Sequence, residues 1–173
     1  MTDTARSLSA LQALLADNTA GDISPQDLRD VLVSALGGYG GLHVTAGATL
    51  QACTATPVLL TQWTGVFASD QMTPAHATDD VTATVAMTAR ASVSLAFTSS
   101  AAVAVTFEIR KNAVLVTGAK STSTVVTTGE TMGAHIEAVV SLAASDVLTV
   151  YVSSASASNV TVQEGQFVVT RVA

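Results

Sequence analysis

The sequence predicts a mainly β protein built from antiparallel strands, because small apolar and polar residues alternate along most of it. From Val81 to Phe97 every odd position is apolar, and six of the eight even positions are Thr, Ser or Arg. A period of two over this length indicates one long strand, or two strands around a tight corner, with one face buried. Aromatic residues make up only 4% of the chain, so we expect a core of many small side chains.

The length of 173 residues suits one β domain with a short appendage better than two independent cores. Beyond residue 41 the chain divides into nine apolar segments, separated by Gly, Asn, Ser and Asp turn signals. Nine short strands predict an antiparallel jelly-roll sandwich. The predicted strands are residues 42–50, 57–63, 81–97, 102–110, 113–117, 122–127, 134–142, 147–153 and 159–171.

The first 36 residues have a helical pattern and predict a short N-terminal arm of two helices. Leucines recur at helical spacing over residues 8–15, and turn-forming residues follow at 17–22. A second helix is expected after Ser24, with Pro25 at its first position. Isolated helices of this length are marginal in water, so the arm needs a surface to dock on, either a partner or its own sheet. The apolar residues expected to bury there are Leu11, Leu14, Leu15, Leu28, Val31, Leu32 and Leu36.

A run of glycines around Tyr39, residues 37–41, follows the arm and is expected to act as a flexible hinge, because glycine adopts backbone angles that other residues avoid. It has no preceding strand and no following Lys-Ser or Lys-Thr pair, so it does not predict a phosphate-binding loop. The expected organisation is therefore an arm at 1–36, a hinge at 37–41 and a β jelly-roll head at 42–173.

The charge balance disfavours nucleic acid as a partner and favours self-association. The net charge is −6 with only seven basic residues, whereas phosphate backbones attract clustered Lys and Arg. Charged residues are 12% of the chain, about half the usual share for a soluble domain. With few charges to keep neighbouring molecules apart, part of the surface is expected to be an interface, and we predict a homo-oligomer.

The cysteine count and the apolar pattern further limit the classes of protein. Cys53 is the single cysteine, so neither a disulfide framework nor a CxxC pair is expected. The mean hydropathy of +0.48 comes from dispersed Ala and Val, and no window approaches eighteen uninterrupted apolar residues. We expect a protein that is made in the cytosol, carries no signal segment and has no membrane partner.

Two groups of residues could bind a metal ion, but both have a simpler interpretation. His135 and Glu137 share one face of a predicted strand, yet two ligands without a third do not make a site, so a surface or interface pair is favoured. Asp70, Asp79 and Asp80 flank a loop and could hold calcium, although they lack the dense oxygen spacing of a calcium loop. We predict no metal and no cofactor.

The sequence does not predict an enzyme. Its many Ser and Thr residues lie in alternating strand patterns rather than at a Gly-flanked nucleophile elbow, and His43 and His76 have no partner that the sequence can place. Exposed rings could bind a glycan, and Tyr39, Trp63 and Tyr151 are the only Trp or Tyr residues. Trp63 is better interpreted as an anchor in the core or in a subunit interface.

Three segments of the head resemble the trimeric jelly rolls, of the tumour necrosis factor and complement-head type, that tailed bacteriophages carry on their virions. They are residues 107–112 (FEIRKN), 142–150 (LAASDVLTV) and 167–171 (FVVTR). In that family a glycine-aspartate pair precedes a late strand, and here Ser145 stands in the glycine position before Asp146. Residues 17–29 are similar to the helical lead-in of phage fibre, spike and head-decoration domains.

The resemblance implies a non-enzymatic virion protein: a homotrimeric capsid decoration, head fibre or spike on the virion surface, held by its arm to the capsid or another virion component. Its core and three-fold contact are expected to involve Val105, Phe107, Ile109, Phe167 and Val169. The alternative is a receptor-binding tail-fibre or spike tip that recognises a host surface glycan. A regulatory binding module is a third interpretation, and fold likeness alone does not decide among them.

Overall fold

The computed structural model describes residues 30–31, 37–45 and 49–172, and these ranges contain twelve strands. Every strand pair between them is antiparallel. The strands are β1 (Tyr39–Val44), β2 (Gln51–Cys53), β3 (Val58–Leu59), β4 (Gly65–Val66), β5 (Met72–Ala75), β6 (Asp80–Ala83), β7 (Met87–Ser99), β8 (Ala104–Lys111), β9 (Val114–Thr124), β10 (Met132–Leu142), β11 (Val147–Ser154) and β12 (Ser158–Arg171).

The strands form two sheets that pack face to face as a sandwich. Sheet A has the order β10-β7-β12-β1-β4, with β2 beside β12. Sheet B has the order β5-β6-β11-β8-β9, with β3 beside β11. Alternate side chains of both sheets point into one shared core, as period-two patterning requires. The mainly β, antiparallel, two-sheet architecture predicted from the sequence is confirmed.

The alternating segment from Val81 to Phe97 is two strands around a corner, the second of the two arrangements that its pattern allows. Strand β6 lies in sheet B and β7 lies in sheet A, and residues 84–86 connect them. The alternation continues unbroken because the odd residues of both strands face the same core, with Val81, Ala83 and Met87 buried on either side of the corner. Periodicity alone therefore could not reveal the corner.

The centre of the core contains the three phenylalanines Phe97, Phe107 and Phe167, each with 0% exposure. Phe97 of sheet A meets Phe107 of sheet B edge to face, with their ring centroids 5.0 Å apart. All five residues predicted for the core and the three-fold contact are fully buried inside one chain: Val105, Phe107, Ile109, Phe167 and Val169. Since none of these side chains reaches the surface, a contact between copies has to use other residues.

The expected hinge at 37–41 is corrected by the structure, because most of it belongs to a central strand. Strand β1 begins at Tyr39, and Gly41 pairs with Val168 of β12. A Cβ atom on Gly41 would lie 2.2 Å from the carbonyl oxygen of Phe167. These glycines therefore allow two strands to approach closely, and the head begins before residue 42.

Two further strand predictions differ from the structure. The predicted strands 113–117 and 122–127 are largely the single strand β9, at the edge of sheet B, where exposure on both faces weakens the alternation. Strand β5 was missed because it contains Pro74, a residue that interrupts strand patterns but is tolerated at an edge.

The arm lies almost wholly outside the described residues. Asp30 and Val31 are described and helical, and Val31 is half-buried. The other residues expected to attach the arm lie in the undescribed ranges, so their predicted role stays a prediction. They are Leu11, Leu14, Leu15, Leu28, Leu32 and Leu36.

Asp146 ties together the loops at one end of the sandwich. Its carboxylate accepts hydrogen bonds from the Ala143 amide at 2.9 Å and the Asn112 side chain at 2.7 Å, and it pairs with Lys111 at 3.3 Å. These contacts, the Ala143 hydrogen bond foremost, hold the pKa of Asp146 below its usual value. The aspartate of the family-like Ser145-Asp146 pair thus connects the β8–β9 turn to the loop before β11.

Replacing Ser145 with glycine is expected to raise the free energy of unfolding by about 1 kcal/mol, because strain at Ser145 is relieved. Ser145 has a φ of 73°, in the left-handed region where a Cβ is disfavoured. Urea unfolding measures the change. The control Ser153→Gly, inside β11, should be destabilising. A loss of stability in Ser145→Gly would contradict the expectation.

Candidate interaction surface

The outer face of sheet A carries an apolar hollow next to β1. Its volume is about 480 Å³, and two aromatic rings are exposed beside it, Tyr39 by 43% and Phe67 by 38%. We call Tyr39, Phe67 and Val168 the β1 patch. The residues that line the hollow are Tyr39, Gly40, Phe67, Ala68, Gln166, Val168 and Thr170.

Backbone pairing holds the two rings of the β1 patch in place. The amide of Tyr39 donates to the carbonyl of Asp70 at 2.9 Å, and the amide of Asp70 donates back at 2.9 Å. The amide of Phe67 donates to the carbonyl of Gly41, also at 2.9 Å. The ring of His43 packs against Phe67 with centroids 4.9 Å apart. The rings are therefore set on a sheet rather than on a free loop.

A second, more polar hollow of about 370 Å³ adjoins the first and shares Gln166 with it. It lies beside the register shift of β12 between Val162 and Glu164, where the strand departs from regular pairing with β7. Its lining includes Ser94, Glu164 and Gly165. The outer face of sheet A thus changes along β12 from aromatic and apolar to polar.

The pair His135 and Glu137 lies on the same outer face, on edge strand β10, and both residues are exposed. Val139, the next residue on that face, is 64% exposed. Within the described ranges no three His, Cys, Asp or Glu residues come together as a group that could hold a metal ion. In the same ranges, no helix has both the length and the apolar character needed to cross a membrane.

Among the described residues, the three aspartates considered for calcium do not come together as a group of metal ligands. Asp70 pairs with Tyr39 through its backbone, and Asp80 accepts a hydrogen bond from the hydroxyl of Thr82 at 3.3 Å. Asp79 is buried in the β5–β6 turn with a φ of 58°. Burial raises the pKa of Asp79 to about 6; nearby His76 opposes this shift and Asp80 adds to it.

The variant Asp79→Asn is expected to be more stable than the wild type at pH 7. Ionising Asp79 costs folding free energy because its folded pKa of about 6 exceeds the ordinary 3.8. The wild type should therefore lose stability, relative to the variant, as the pH rises from 4 to 6. Asparagine also tolerates the left-handed backbone at this position. Urea unfolding at pH 4 to 8 tests this, with Glu164→Gln as an exposed-carboxylate control. A difference that does not grow with pH would contradict it.

Trp63 and Cys53 lie in the core, and the ring of Tyr151 packs against an arginine. Trp63 is 5% exposed and lies 6.2 Å from the ring of Phe167, which matches the interpretation of Trp63 as an anchor. The guanidinium of Arg110 lies 4.2 Å above the ring of Tyr151. Cys53 is buried, and burial raises the pKa of its thiol.

Of the two exposed rings in the β1 patch, the sequence predicted only Tyr39 as a ring that could contact a ligand. Phe67 was not predicted, because the strand before it, β4, is only two residues long and gives no recognisable pattern.

Comparison with known proteins shows the fold. No family model matches the sequence, and no curated protein matches it. The structure of Eiger TNF from S. frugiperda is similar with a TM-score of 0.59 at 11% identity, covering 79% of this chain and 94% of that one. The crystal structure of murine APRIL at pH 5.0 is similar with a TM-score of 0.53 at 11% identity, covering 78% and 99%. The described part of the chain is therefore a TNF-like jelly-roll β sandwich.

Proposed function

We propose that this chain is a non-enzymatic structural protein of a bacteriophage virion. In this proposal the β head forms a homotrimer that decorates the virion surface as a capsid decoration, head fibre or spike, and the N-terminal arm binds the capsid or another virion protein. The TNF-like sandwich supports the proposal because it is the fold that the sequence resemblance implied. The low share of charged residues supports self-association.

The observation that carries the self-association is the β1 patch. Tyr39 and Phe67 are large rings held on a sheet yet more than one third exposed. Interfaces place aromatic side chains at their buried centres, and exposed apolar patches mark binding surfaces. The core residues cannot serve as this contact because they are fully buried within one chain. A second copy would cover the β1 patch and remove its rings from water.

Light scattering of the full chain over a dilution series tests the assembly. We expect the wild type to have a mass of about three times 17.5 kDa. In Phe67→Lys the mass should fall towards that of a single chain, because burying a charge in the patch is unfavourable. The matched control Val114→Lys adds the same charge at a residue that is 69% exposed, on the β8–β9 hairpin, and should leave the mass unchanged. A wild type that stays a monomer at every concentration would overturn the trimer.

The attachment role is tested by removing residues 1–36 and measuring binding of the purified protein to particles that lack it. Strand β1 begins at Tyr39, so this deletion removes none of the twelve described strands. We expect particle binding to be lost while the unfolding midpoint of the head stays similar. Undiminished binding of the shortened chain would assign attachment to the head instead of the arm.

The alternative, a receptor-binding tip that recognises a host glycan, is favoured by one feature of the same surface. The rings of Tyr39 and Phe67 stand beside the polar side chains of Gln166 and Thr170 in one hollow, and binding sites combine apolar walls with a few polar groups. A glycan array with the wild type and Phe67→Ala separates the two functions. Glycan binding that is lost in Phe67→Ala supports the receptor-binding tip. If the patch is instead the trimer contact, the rings are covered and no glycan should bind through Phe67.

A further inference from the structure

His43 lies beside the β1 patch, on the outer face of sheet A. Leu42 and Val44 point into the core, so the side chain of His43 between them points outwards. It is half-buried, and its ring packs against Phe67 with centroids 4.9 Å apart and the ring planes tilted by 45°. The amide of Phe67 donates to the carbonyl of Gly41, in the same strand as His43. The position of Phe67 in the patch therefore depends on the imidazole that it contacts.

Gly65, on the neighbouring strand, leaves the room that the imidazole occupies. His43 pairs with Gly65 of β4 on one side and with Gln166 of β12 on the other. A Cβ atom on Gly65 would lie 2.7 Å from both Cε1 and Nε2 of His43, which is too close for any other side chain at that position. The imidazole thus fills a fixed space between the backbone of β4 and the ring of Phe67.

One nitrogen of this imidazole has no acceptor for a proton. The Nδ1 atom of His43 is buried, and no described residue forms a hydrogen bond with it. A neutral imidazole can leave this nitrogen unprotonated, whereas the charged form carries a proton on both nitrogens. The face of Phe67 attracts a cation, but it does not replace the hydrogen-bond acceptor that a buried N–H requires. A proton on Nδ1 is therefore left without an acceptor while the ring stays in this position.

The charged residues around His43 do not supply that acceptor. Strand β4 carries no charge. Glu164, in the neighbouring polar hollow, is exposed, and the carboxylate of Asp70 lies near Gly37, just before β1. No hydrogen bond joins either carboxylate to Nδ1 of His43. The other charged residues on the strands of sheet A beside β1 are cations or lie farther across the sheet, and they are Arg171, Arg90, His135 and Glu137. Water has to be the acceptor, and it reaches Nδ1 only if one of the two rings moves.

We propose that His43 makes the contact between copies sensitive to acid. The effect rests on the proposed function, in which a second copy covers the β1 patch. In a free chain a protonated His43 can displace Phe67 and reach water, because Phe67 follows a strand of only two residues. In the trimer the second copy holds Phe67 in place and excludes that water. Assembly therefore releases a proton from His43, and a falling pH opposes assembly.

Light scattering of the full chain in dilution series at pH 7.5 and pH 5.5 tests the role of His43. We expect the concentration at which half of the chains are assembled to be higher at pH 5.5 by about tenfold or more. The chain has three histidines, so each can be replaced in turn. His43→Gln should lose the dependence on pH, whereas His76→Gln and His135→Gln should keep it. His43→Phe keeps a ring against Phe67 but cannot be protonated, and should also lose the dependence. Each variant is compared with its own value at pH 7.5.

Hydrogen exchange of the Phe67 amide provides a measurement that needs no variant. Its protection factor in the wild type should fall together with assembly at pH 5.5, as Phe67 leaves the carbonyl of Gly41. Emission from Trp63, the single tryptophan, shows whether the core stays folded at that pH. Asp79→Asn controls for the carboxyl in the β5–β6 turn, whose pKa is raised to about 6.

The role of His43 and the trimer itself fail in different ways. A wild type that is a monomer at both pH values would overturn both. A trimer whose half-assembly concentration and Phe67 protection do not change with pH would overturn only the role of His43. The same conclusion follows if the dependence on pH persists in His43→Gln and His43→Phe, or if His135→Gln alone removes it.

Discussion

Phe107→Ala is expected to lower the free energy of unfolding by about 3–5 kcal/mol, among the largest effects of any single substitution in this protein. Phe107 is fully buried and packs edge to face on Phe97, with ring centroids 5.0 Å apart, so it joins the two sheets. A core of small residues has few neighbours that can move into the cavity left by the ring. The midpoint of urea unfolding should fall while the slope stays unchanged.

The matched control for Phe107→Ala is its neighbour on the opposite face of β8. The hydroxyl of Thr106 lies 2.9 Å from that of Thr122 on the exposed side, so Thr106→Ala should cost less than about 1 kcal/mol. A small loss of stability in Phe107→Ala, accompanied by a lower mass of the assembly, would contradict the core position. That outcome would indicate that Phe107 lies in the contact between copies.

Gln62→Leu is expected to lower the free energy of unfolding by about 2–5 kcal/mol, because it leaves two buried backbone groups without partners. The side chain of Gln62 is 3% exposed. It accepts a hydrogen bond from the amide of Val162 at 2.6 Å and donates to the carbonyl of Val160 at 2.8 Å. Gln62 thereby supplies hydrogen-bond partners to two backbone groups of β12 next to the register shift, where strand pairing is irregular. Chemical unfolding measures the loss.

Hydrogen exchange locates the effect of Gln62→Leu. The amide of Val162 should exchange faster in the variant than in the wild type, since its acceptor is gone. The control Gln163→Leu alters the next side chain in β12, which is half-buried and donates to the hydroxyl of Thr98 at 3.3 Å, and should change stability by less than about 1 kcal/mol. Unchanged protection of Val162 would show that Gln62 does not carry this role.

Patterns that depend on neighbouring residues were read correctly from the sequence. The alternation between Val81 and Phe97 predicted a buried face, and Phe107 and Phe167 were placed in the core. The family-like glycine position of Ser145 has the positive φ that explains a glycine there. Each of these follows from local backbone geometry, which a short stretch of sequence expresses directly.

Features that depend on distant segments were missed. The glycines before Leu42 suggested a hinge because the sequence does not show that β12, more than a hundred residues later, runs alongside them. No sequence pattern predicted that Phe67 belongs to the β1 patch, because its position results from the pairing of β4 with β1. The contact between copies could not be located from the sequence either, because the five residues predicted for the core and the three-fold contact are all buried within one chain under the facing sheet.

The sequence by itself determined that this protein is an antiparallel β protein with a small-residue core, because side-chain alternation is a property of single strands. Only the tertiary structure decided which apolar residues remain on the surface and which strand edges stay open. The exposure of Tyr39 and Phe67 depends on which strands pair and which sheet covers them. Those pairings join residues far apart in the chain, so no local pattern records them.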